Sequence, residues 1–393
     1  MPQRPTIGND DVLSALRGVI DPELGSDIVE LGMARGAIVG DDGVVVVTVA
    51  LTTAGCPLRA ELAREVRSRV GALPGVTDVR IDWAEMDAEQ RSAAMDIARR
   101  NAQRTAGPNA VPVGARVLAI ASGKGGVGKS SVTANLAAAL AHRGFAVGVI
   151  DADIWGFSIP RMLGLDGRLG AEKGDDGERR IIPHSLPIGT GRLDVVSMGL
   201  LVDDETDALM WRGLILNRAV QHFLEDVAWS DDLDYVVIDL PPGTGDVQMG
   251  LARMLPQAEM LVVTTPALGA QRVATRAVTM ARKSHLHVLG VIENMSAFTC
   301  EHGHTHAVFG AGGGAALAAD EGLPLIGEIP LEPAVSTGGD TGAPIALGNG
   351  PAADALRAIA DRLIDELAPP RSMAGCSARM LDAALAALDA LDD

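Results

Sequence analysis

The sequence is poor in cysteine and in aromatic residues, and it has no excess of positive charge. Three cysteines, Cys56, Cys300 and Cys376, are spread over 393 residues. They are too few for a disulfide framework and favour a reducing compartment. Aromatic residues make up 3% of the chain, so the apolar fraction of 47% comes mainly from aliphatic side chains. Such a composition suits the buried strands of a parallel sheet.

Positive charge and long apolar runs are also missing. The formal net charge is -18, which argues against nucleic acid or an anionic membrane surface as a general partner. No run approaches the roughly eighteen apolar residues of a membrane span, and the first residues contain no apolar signal core. We therefore expect a cytoplasmic protein that binds neither nucleic acid nor membrane.

The pattern along the chain predicts four segments. Residues 1–88 suggest a helix, a hairpin, a helix and a strand, which together make a small α+β domain. Residues 89–112 pass from a helical polar run into Ala, Gly, Pro and Asn and are predicted to be a linker. Residues 113–370 alternate apolar strands with helices, which is typical of a doubly wound, mostly parallel α/β sheet. The pattern of residues 371–393 predicts an acidic amphipathic helix that docks onto the rest of the chain or onto a partner protein.

The stretch GKGGVGKS at 123–130 matches the P-loop pattern, between a predicted strand and a predicted helix. Glycines let successive backbone N–H groups turn toward an anion, and the helix N-terminus adds its positive end. Lys129 is expected to reach the β- and γ-phosphates of ATP, and the Ser130 hydroxyl to bind Mg²⁺. The expected nucleotide-binding residues of this loop are Gly123, Gly125, Gly126, Val127, Gly128, Lys129, Ser130 and Ser131.

Carboxylates stand at the ends of two apolar strands. The stretch VGVIDAD ends in Asp151 and Asp153, and VVIDLPPGTGD delivers Asp239. The carboxyl ends of parallel strands meet at one edge of a sheet, so these side chains are expected beside the phosphates. Asp239 fits a role in holding the Mg²⁺, and Asp153 fits activation of the attacking water. The alternative for each aspartate is a helix cap or a turn.

A second lysine near the start of the loop, Lys124, gives it the form KGGVGK. In this respect the sequence resembles the deviant Walker A ATPases, which include MinD, ParA, the nitrogenase iron protein and the Mrp/ApbC proteins. The resemblance implies a homodimer in which Lys124 and Lys129 are both catalytic, with Lys124 reaching the partner's nucleotide.

Longer stretches resemble the Mrp/ApbC iron–sulfur carriers across nearly all of 113–367. They include DADIWGFSIPRMLG, WRGLILNRAVQHFLEDVAW, DLDYVVIDLPPGTGDVQ, GVIENMSAF and FGAGGG. One departure is Phe157, where that branch usually has proline. The resemblance implies a Mg²⁺-dependent ATPase that carries iron–sulfur clusters to apoproteins, with Asn294 reading the adenine.

The N-terminal segment agrees with that resemblance. The stretches DPELGSDIVELGM and LTTAGCPLR are similar to the small SufT- and PaaD-like domain of iron–sulfur assembly. Pro57 fits the first position of the following helix, which leaves Cys56 at its N-terminus. A helix N-terminus lowers a thiol's pKa, so Cys56 is predicted to be a reactive thiol. The alternative is a small buried cysteine.

The segment CEHGHTH at 300–306 departs from the family, which usually has Cys-x-x-Cys there. Two copies of the chain would supply two Cys300 thiolates, whereas common iron–sulfur clusters are held by four cysteine thiolates. If the segment is extended, its Cys and His side chains share one face. Cys300 with His302 or His304 of each copy would then give a Cys₂His₂ set for zinc or a mixed-ligand two-iron cluster. The alternative is a polar loop that binds no metal.

Three functions follow from these patterns. The first is an ATP-hydrolysing, homodimeric iron–sulfur carrier or scaffold. The second is an ATP-dependent protein-binding adaptor that has lost the cluster. The third, a positioning ATPase of the MinD or ParA type, is disfavoured by the acidic tail and the net charge of -18.

Overall fold

The computed structural model describes residues 7–21, 24–40, 42–52, 59–105, 110–153, 156–173, 177, 179–200, 220–243 and 246–371. Cys56, Cys376 and the predicted C-terminal helix lie outside these ranges. The chain divides into two compact units, Met1–Ala106 and Gly107–Asp393. No helix within the described ranges is long and apolar enough to cross a bilayer.

The first unit is a three-stranded sheet with helices packed against it. Its elements are α1 (Asn9–Leu16), β1 (Ala34–Val39), β2 (Val44–Leu51), α2 (Arg59–Gly71), β3 (Asp78–Glu85) and α3 (Ala88–Thr105). β1 pairs with β2 in antiparallel fashion, and β3 pairs with β2 in parallel. Val45, Val47 and Val49 alternate along β2 into the core of this unit, as a half-buried strand requires. The predicted small α+β fold is confirmed.

The segment predicted as a linker, 89–112, is helical over most of its length. Asp87 and Gln90 form reciprocal hydrogen bonds at the start of α3, from Gln90 N to Asp87 Oδ1 at 2.8 Å and from Asp87 N to Gln90 Oε1 at 3.1 Å. This is a capping box, which satisfies two backbone donors at a helix start. Ala94 and Ala98 then bury one face of α3 in the core of the first unit.

The second unit contains an eight-stranded sheet. Its strands are β4 (Arg116–Ser122), β5 (Ala146–Asp151), β8 (His184–Ile188), β9 (Gly191–Ser197), β10 (Tyr235–Asp239), β11 (Glu259–Thr264), β12 (His287–Asn294) and β15 (Leu325–Ile329). They are ordered β15-β12-β11-β4-β10-β5-β9-β8, and neighbours are parallel except β8 with β9. Two separate small hairpins join β6 (Gly170–Lys173) to β7 (Arg179–Ile182) and β13 (Phe298–Thr299) to β14 (Thr305–His306).

Helices cover both faces of the large sheet. They are α4 (Lys129–His142), α5 (Ile159–Leu163), α6 (Asp246–Met254), α7 (Leu268–Lys283), α8 (Gly313–Glu321), α9 (Pro333–Thr341) and α10 (Pro351–Arg362). Successive residues of β4 enter opposite cores, with Val117 and Ala119 in one and Leu118 and Ile120 in the other. A strand buried on both faces needs no polar alternation, which explains its continuous apolar run. The predicted doubly wound α/β fold is confirmed.

Candidate functional site

The P-loop joins β4, near the middle of the sheet, to α4. Gly128 immediately precedes α4 with φ 81°, in the left-handed region that favours glycine. A side chain there would also start 2.2 Å from Asn294 Nδ2. The sequence can therefore form this turn, and keep Asn294 in place, only with glycine at position 128.

The buried Lys129 ammonium lies among carboxylates from two neighbouring strands. Its Nζ is 2.7 Å from Asp239 Oδ2 and 3.6 Å from Asp153 Oδ2. Ser130 Oγ donates to Asp239 Oδ2 at 2.6 Å. Four residues predicted from the sequence are thus brought together at the carboxyl edge of the sheet.

Sequence reasoning missed Thr133, whose hydroxyl donates to the second oxygen of Asp239 at 2.7 Å. Thr133 lies three residues after Ser130 in α4, so both hydroxyls face the same way. That spacing is the signal that could have identified it. Asp239 is fully buried, and both of its oxygens are hydrogen-bonded. These two hydrogen bonds fix the orientation of the Asp239 carboxylate.

Asp151 organises the loop that carries Asp153. Its Oδ2 accepts hydrogen bonds from Ser197 Oγ at 3.0 Å and from the backbone N–H groups of Ser158 and Ile159 at 3.2 and 3.3 Å. Burial, followed by the nearby Asp239 carboxylate, raises the pKa of Asp151 to about 7. Asp151 therefore shapes the loop and the start of α5, which places Asp153 beside Lys129.

The site has more carboxylates than cations. Asp151, Asp153 and Asp239 surround Lys129, and burial also raises the pKa of Asp153 above its usual range. The hard oxygens of Ser130 and Asp239 are the ligand type that Mg²⁺ prefers. The residues present therefore fit a Mg²⁺ ion, which would also offset the excess negative charge.

A cavity of about 230 Å³ opens beside the loop. Its lining includes Gly128, Ser131, Asn294, Leu331 and Val335. Asn294 ends β12, is buried, and donates from Nδ2 to the backbone oxygen of Val127 at 2.9 Å. The residue predicted to read adenine thus lies at the wall of this cavity and is bonded to the P-loop.

The tip of the P-loop is exposed. Lys124, Gly125 and Gly126 are all accessible to solvent. Ser122 Oγ donates to the backbone oxygen of Lys124 at 3.0 Å, which fixes the backbone while the side chain stays free. No ion pair joins Lys124 to another residue in the described ranges. Lys124 is thus exposed to solvent, whereas Lys129 is buried.

The segment 300–306 lies at the end of a hairpin and is not one extended strand, so the single-face arrangement considered for an extended segment does not apply. Gly303 N donates to Cys300 O at 2.9 Å, and Cys300 N donates to His304 O at 3.0 Å. Gly303 has φ 80°, which a side chain would disfavour. The chain reverses at 301–303, so Cys300, His302, His304 and His306 do not form one row along a single extended strand.

The hairpin places His302 apart from His304 and His306. The rings of Phe298 and His306 stack with centroids 6.5 Å apart. His302 lies in the turn, where its Nε2 is 3.7 Å from Glu301 Oε1. Cys300 is a free thiol and is partly exposed. Within the described part of one chain, no three His, Cys, Asp or Glu residues form a group that could hold a metal ion.

Comparison with known proteins agrees with this geometry. Residues 114–364 match the family described as NUBPL iron-transfer P-loop NTPase, and residues 9–83 match the family described as iron-sulfur cluster assembly protein. An iron-sulfur cluster carrier protein of Mycobacterium tuberculosis is 44% identical over 366 residues, which cover 90% of this chain and 93% of that protein. One of Deinococcus radiodurans is 42% identical over 362 residues, which cover 91% and 95%.

Among solved structures, a nucleotide-binding protein of Archaeoglobus fulgidus in complex with ADP is similar. It is 36% identical, with a TM-score of 0.49, over 58% of this chain and 87% of that chain. The sequence matches extend over both units and confirm the resemblance to the Mrp/ApbC carriers. The chain belongs to the NUBPL iron-transfer P-loop NTPases, with an iron–sulfur cluster assembly domain at its N-terminal end.

Proposed function

We propose that this protein is a Mg²⁺-dependent, homodimeric ATPase that carries an iron–sulfur cluster and transfers it to apoproteins. The observation that carries the proposal is the convergence of Lys129, Ser130, Asp153 and Asp239 at the edge of the sheet. The hairpin with Cys300 begins only a few residues after Asn294, which is bonded to the P-loop.

The phosphates of ATP would bind to the backbone N–H groups of the P-loop and to the N-terminus of α4. Lys129 would turn from Asp239 toward the β- and γ-phosphates, and Ser130 would turn its hydroxyl hydrogen away from Asp239 Oδ2, so that this oxygen would lose both of its present partners. Asp239 and Ser130 would then hold the Mg²⁺, whose charge stabilises the phosphate oxygens. Asp153, on its fixed loop, would orient the attacking water and accept its proton; its raised pKa suits a proton acceptor.

The nucleotide would also influence the hairpin. Ser296 N donates to Ile329 O at 3.0 Å, and Leu331 N donates to Ala297 O at 2.8 Å. These bonds tie the base of the hairpin to the segment that lines the cavity beside the P-loop. Binding of ATP in that cavity would shift Leu331 and Asn294 together. Hydrolysis could thereby change the position of Cys300 and release the cargo, as in other nucleotide-driven switches.

Replacement of the P-loop lysine tests the ATPase. Lys129→Ala is expected to lower Mg²⁺-dependent phosphate release by at least about 100-fold, because the charge that stabilises the transferring phosphoryl group is lost. The matched control is Lys283→Ala at the end of α7. Circular dichroism should show that both variants remain folded. Normal hydrolysis by Lys129→Ala would refute the assignment of the site.

A second candidate function is an ATP-dependent adaptor that binds proteins but no cluster. The observation that favours it is the single cysteine in the hairpin, since the family usually has two there. Anaerobic reconstitution with iron and sulfide, followed by incubation with an apoprotein, separates the two functions. A carrier develops a chromophore and activates the apoprotein, whereas the adaptor does neither.

A further inference from the structure

The turn of the hairpin fixes which residue lies opposite Cys300. The two hydrogen bonds between Cys300, Gly303 and His304, with Gly303 at φ 80°, define a three-residue loop: a type I turn followed by a left-handed residue. In this loop the last facing pair of the two strands is Cys300 and His304. The turn sets this pairing by backbone geometry alone.

The register places these two side chains on the same face. Phe298 faces His306, and Thr299 faces Thr305. The two threonine hydroxyls are 3.3 Å apart on one face, and the Phe298 and His306 rings stack on the other. Facing residues share a face, and successive pairs alternate. The next pair, Cys300 and His304, therefore lies on the face of Phe298 and His306.

The separation of the pair suits joint coordination of a metal or cluster. The Cβ atoms of facing residues lie about 4.5–5.5 Å apart, and metal bonds to sulfur and imidazole nitrogen are about 2.0–2.3 Å long. His302 is excluded from this pair because it lies in the turn beside Glu301. His306 lies on the correct face, but its ring is stacked on Phe298.

One hairpin supplies two ligands, whereas zinc sites and common clusters need four. In the described part of one chain, no third ligand completes the group. Cys300 is partly exposed and His304 is exposed, so a second hairpin can approach both. Two hairpins offer two thiolates and two imidazoles. An all-cysteine four-iron cluster does not match that set, whereas a two-iron cluster with mixed ligands does.

Resting on the carrier function proposed above, we propose that Cys300 and His304 of two copies together hold a two-iron, two-sulfur cluster. The His304 imidazole takes the place of the second thiolate that the family usually supplies. His302 takes no part in binding.

Anaerobic reconstitution of the full chain with iron and sulfide tests this assignment. Iron, sulfide and the visible chromophore are measured in wild type, Cys300→Ser, His304→Ala and the matched control His302→Ala. We expect wild type and His302→Ala to bind two irons and two sulfides per two chains. Cys300→Ser and His304→Ala should lose at least about tenfold in occupancy, since loss of a ligand costs no less than loss of its supporting partner.

A second substitution at position 304 distinguishes the loss of a ligand from a failure to fold. His304→Cys restores four thiolates across two copies and is expected to bind a cluster. Pulsed paramagnetic resonance of the reduced cluster, with ¹⁵N-labelled histidine, should detect nitrogen coupling in wild type and none in His304→Cys.

The outcomes separate the ligand assignment from the carrier function. A cluster that is fully retained in His304→Ala, or nitrogen coupling that persists in His304→Cys, would overturn the assignment of His304 and leave the carrier function standing. If the wild-type protein binds zinc and contains no sulfide, the assignment of a two-iron, two-sulfur cluster is wrong. A wild-type protein that forms no cluster and activates no apoprotein would overturn the carrier function as well.

Discussion

Asp151 has an unusual environment for a carboxyl group. It is fully buried, hydrogen-bonded on both oxygens and close to the equally buried Asp239. A buried carboxylate is stable only when nearby donors or cations compensate for lost hydration. The Lys129 ammonium also lies beside Asp239 and Asp153. Its positive charge therefore offsets only part of the hydration that Asp151 loses on burial. The P-loop site thus combines high negative charge with low exposure, and this should make its stability depend on pH.

The raised pKa of Asp151 predicts the direction of that dependence. Its pKa is about 7 in the folded chain and 3.8 in the reference state, so folding takes up a proton between these values. The free energy of unfolding contributed by this group therefore falls as pH rises from about 4 to about 7. Asp151→Asn cannot titrate and should show a weaker fall in urea unfolding measured across this range.

The control for that experiment is Asp320→Asn, at an exposed position in α8. It should keep the wild-type dependence on pH. The comparison uses the slope of the free energy of unfolding against pH and not its absolute value, because asparagine also changes the hydrogen bonds around the site. An unchanged slope in Asp151→Asn would contradict the assigned proton uptake.

At the level of elements, the P-loop is packed directly on α7. A Cβ atom at Gly123 would lie 2.3 Å from the backbone carbon of Val273 and 2.4 Å from the backbone nitrogen of Ala274. Gly123→Ala must therefore push the loop or the helix aside, and should lower the free energy of unfolding by about 1–3 kcal/mol. Urea denaturation measures this change.

Gly125 offers a matched control for the same substitution. A Cβ atom there meets nothing within 4 Å, so Gly125→Ala should leave stability nearly unchanged, although it can affect phosphate binding. Equal stability of the two variants would show that contact with α7 does not constrain the loop.

Sequence periodicity predicted those elements that have a strong local pattern. The apolar strands, the P-loop and the aspartates at the strand ends were predictable because a buried parallel strand must be apolar and must end at the ligand edge. The hairpin at 300–306 was not, because strands of two residues have no measurable periodicity. There the spacing of Cys and His left an extended segment and a polar loop both open, and Gly303 is the turn signal that favours the hairpin.

The sequence indicated a helical run at the start of the predicted linker but not the full length of α3, and Thr133 was missed. The polar composition of α3 concealed its capping box at Asp87 and Gln90. Thr133 carries no motif, and its hydrogen bond to Asp239 spans 106 positions in sequence. Such contacts depend on how α4 packs against β10, which local sequence does not specify.

At the level of the whole molecule, the proposed homodimer makes a prediction about the exposed groups. Lys124 is exposed at the P-loop tip, and Cys300 and His304, proposed above as half of a four-ligand set, are accessible to solvent. In the described part of one chain, no third ligand joins Cys300 and His304. A two-fold dimer would supply the other half of this set and bring Lys124 to the other copy, since a two-fold interface brings the same residues of each copy to the other. ATP turnover should then require residues from two chains.

Mixing two inactive variants tests this requirement. Lys124→Ala retains Lys129 but has no Lys124 to donate, and Lys129→Ala can donate Lys124 but lacks Lys129. Each variant should therefore be inactive alone. Together they should recover about a quarter of wild-type ATP turnover, because about half of random dimers are mixed and each has one complete site. Phosphate release is measured after the variants are mixed and allowed to exchange partners. The control partner for Lys124→Ala is a chain with both substitutions, which has no lysine to donate and should restore nothing. If the first mixture stays as inactive as its components, Lys124 does not act across a dimer, and the homodimeric site is excluded.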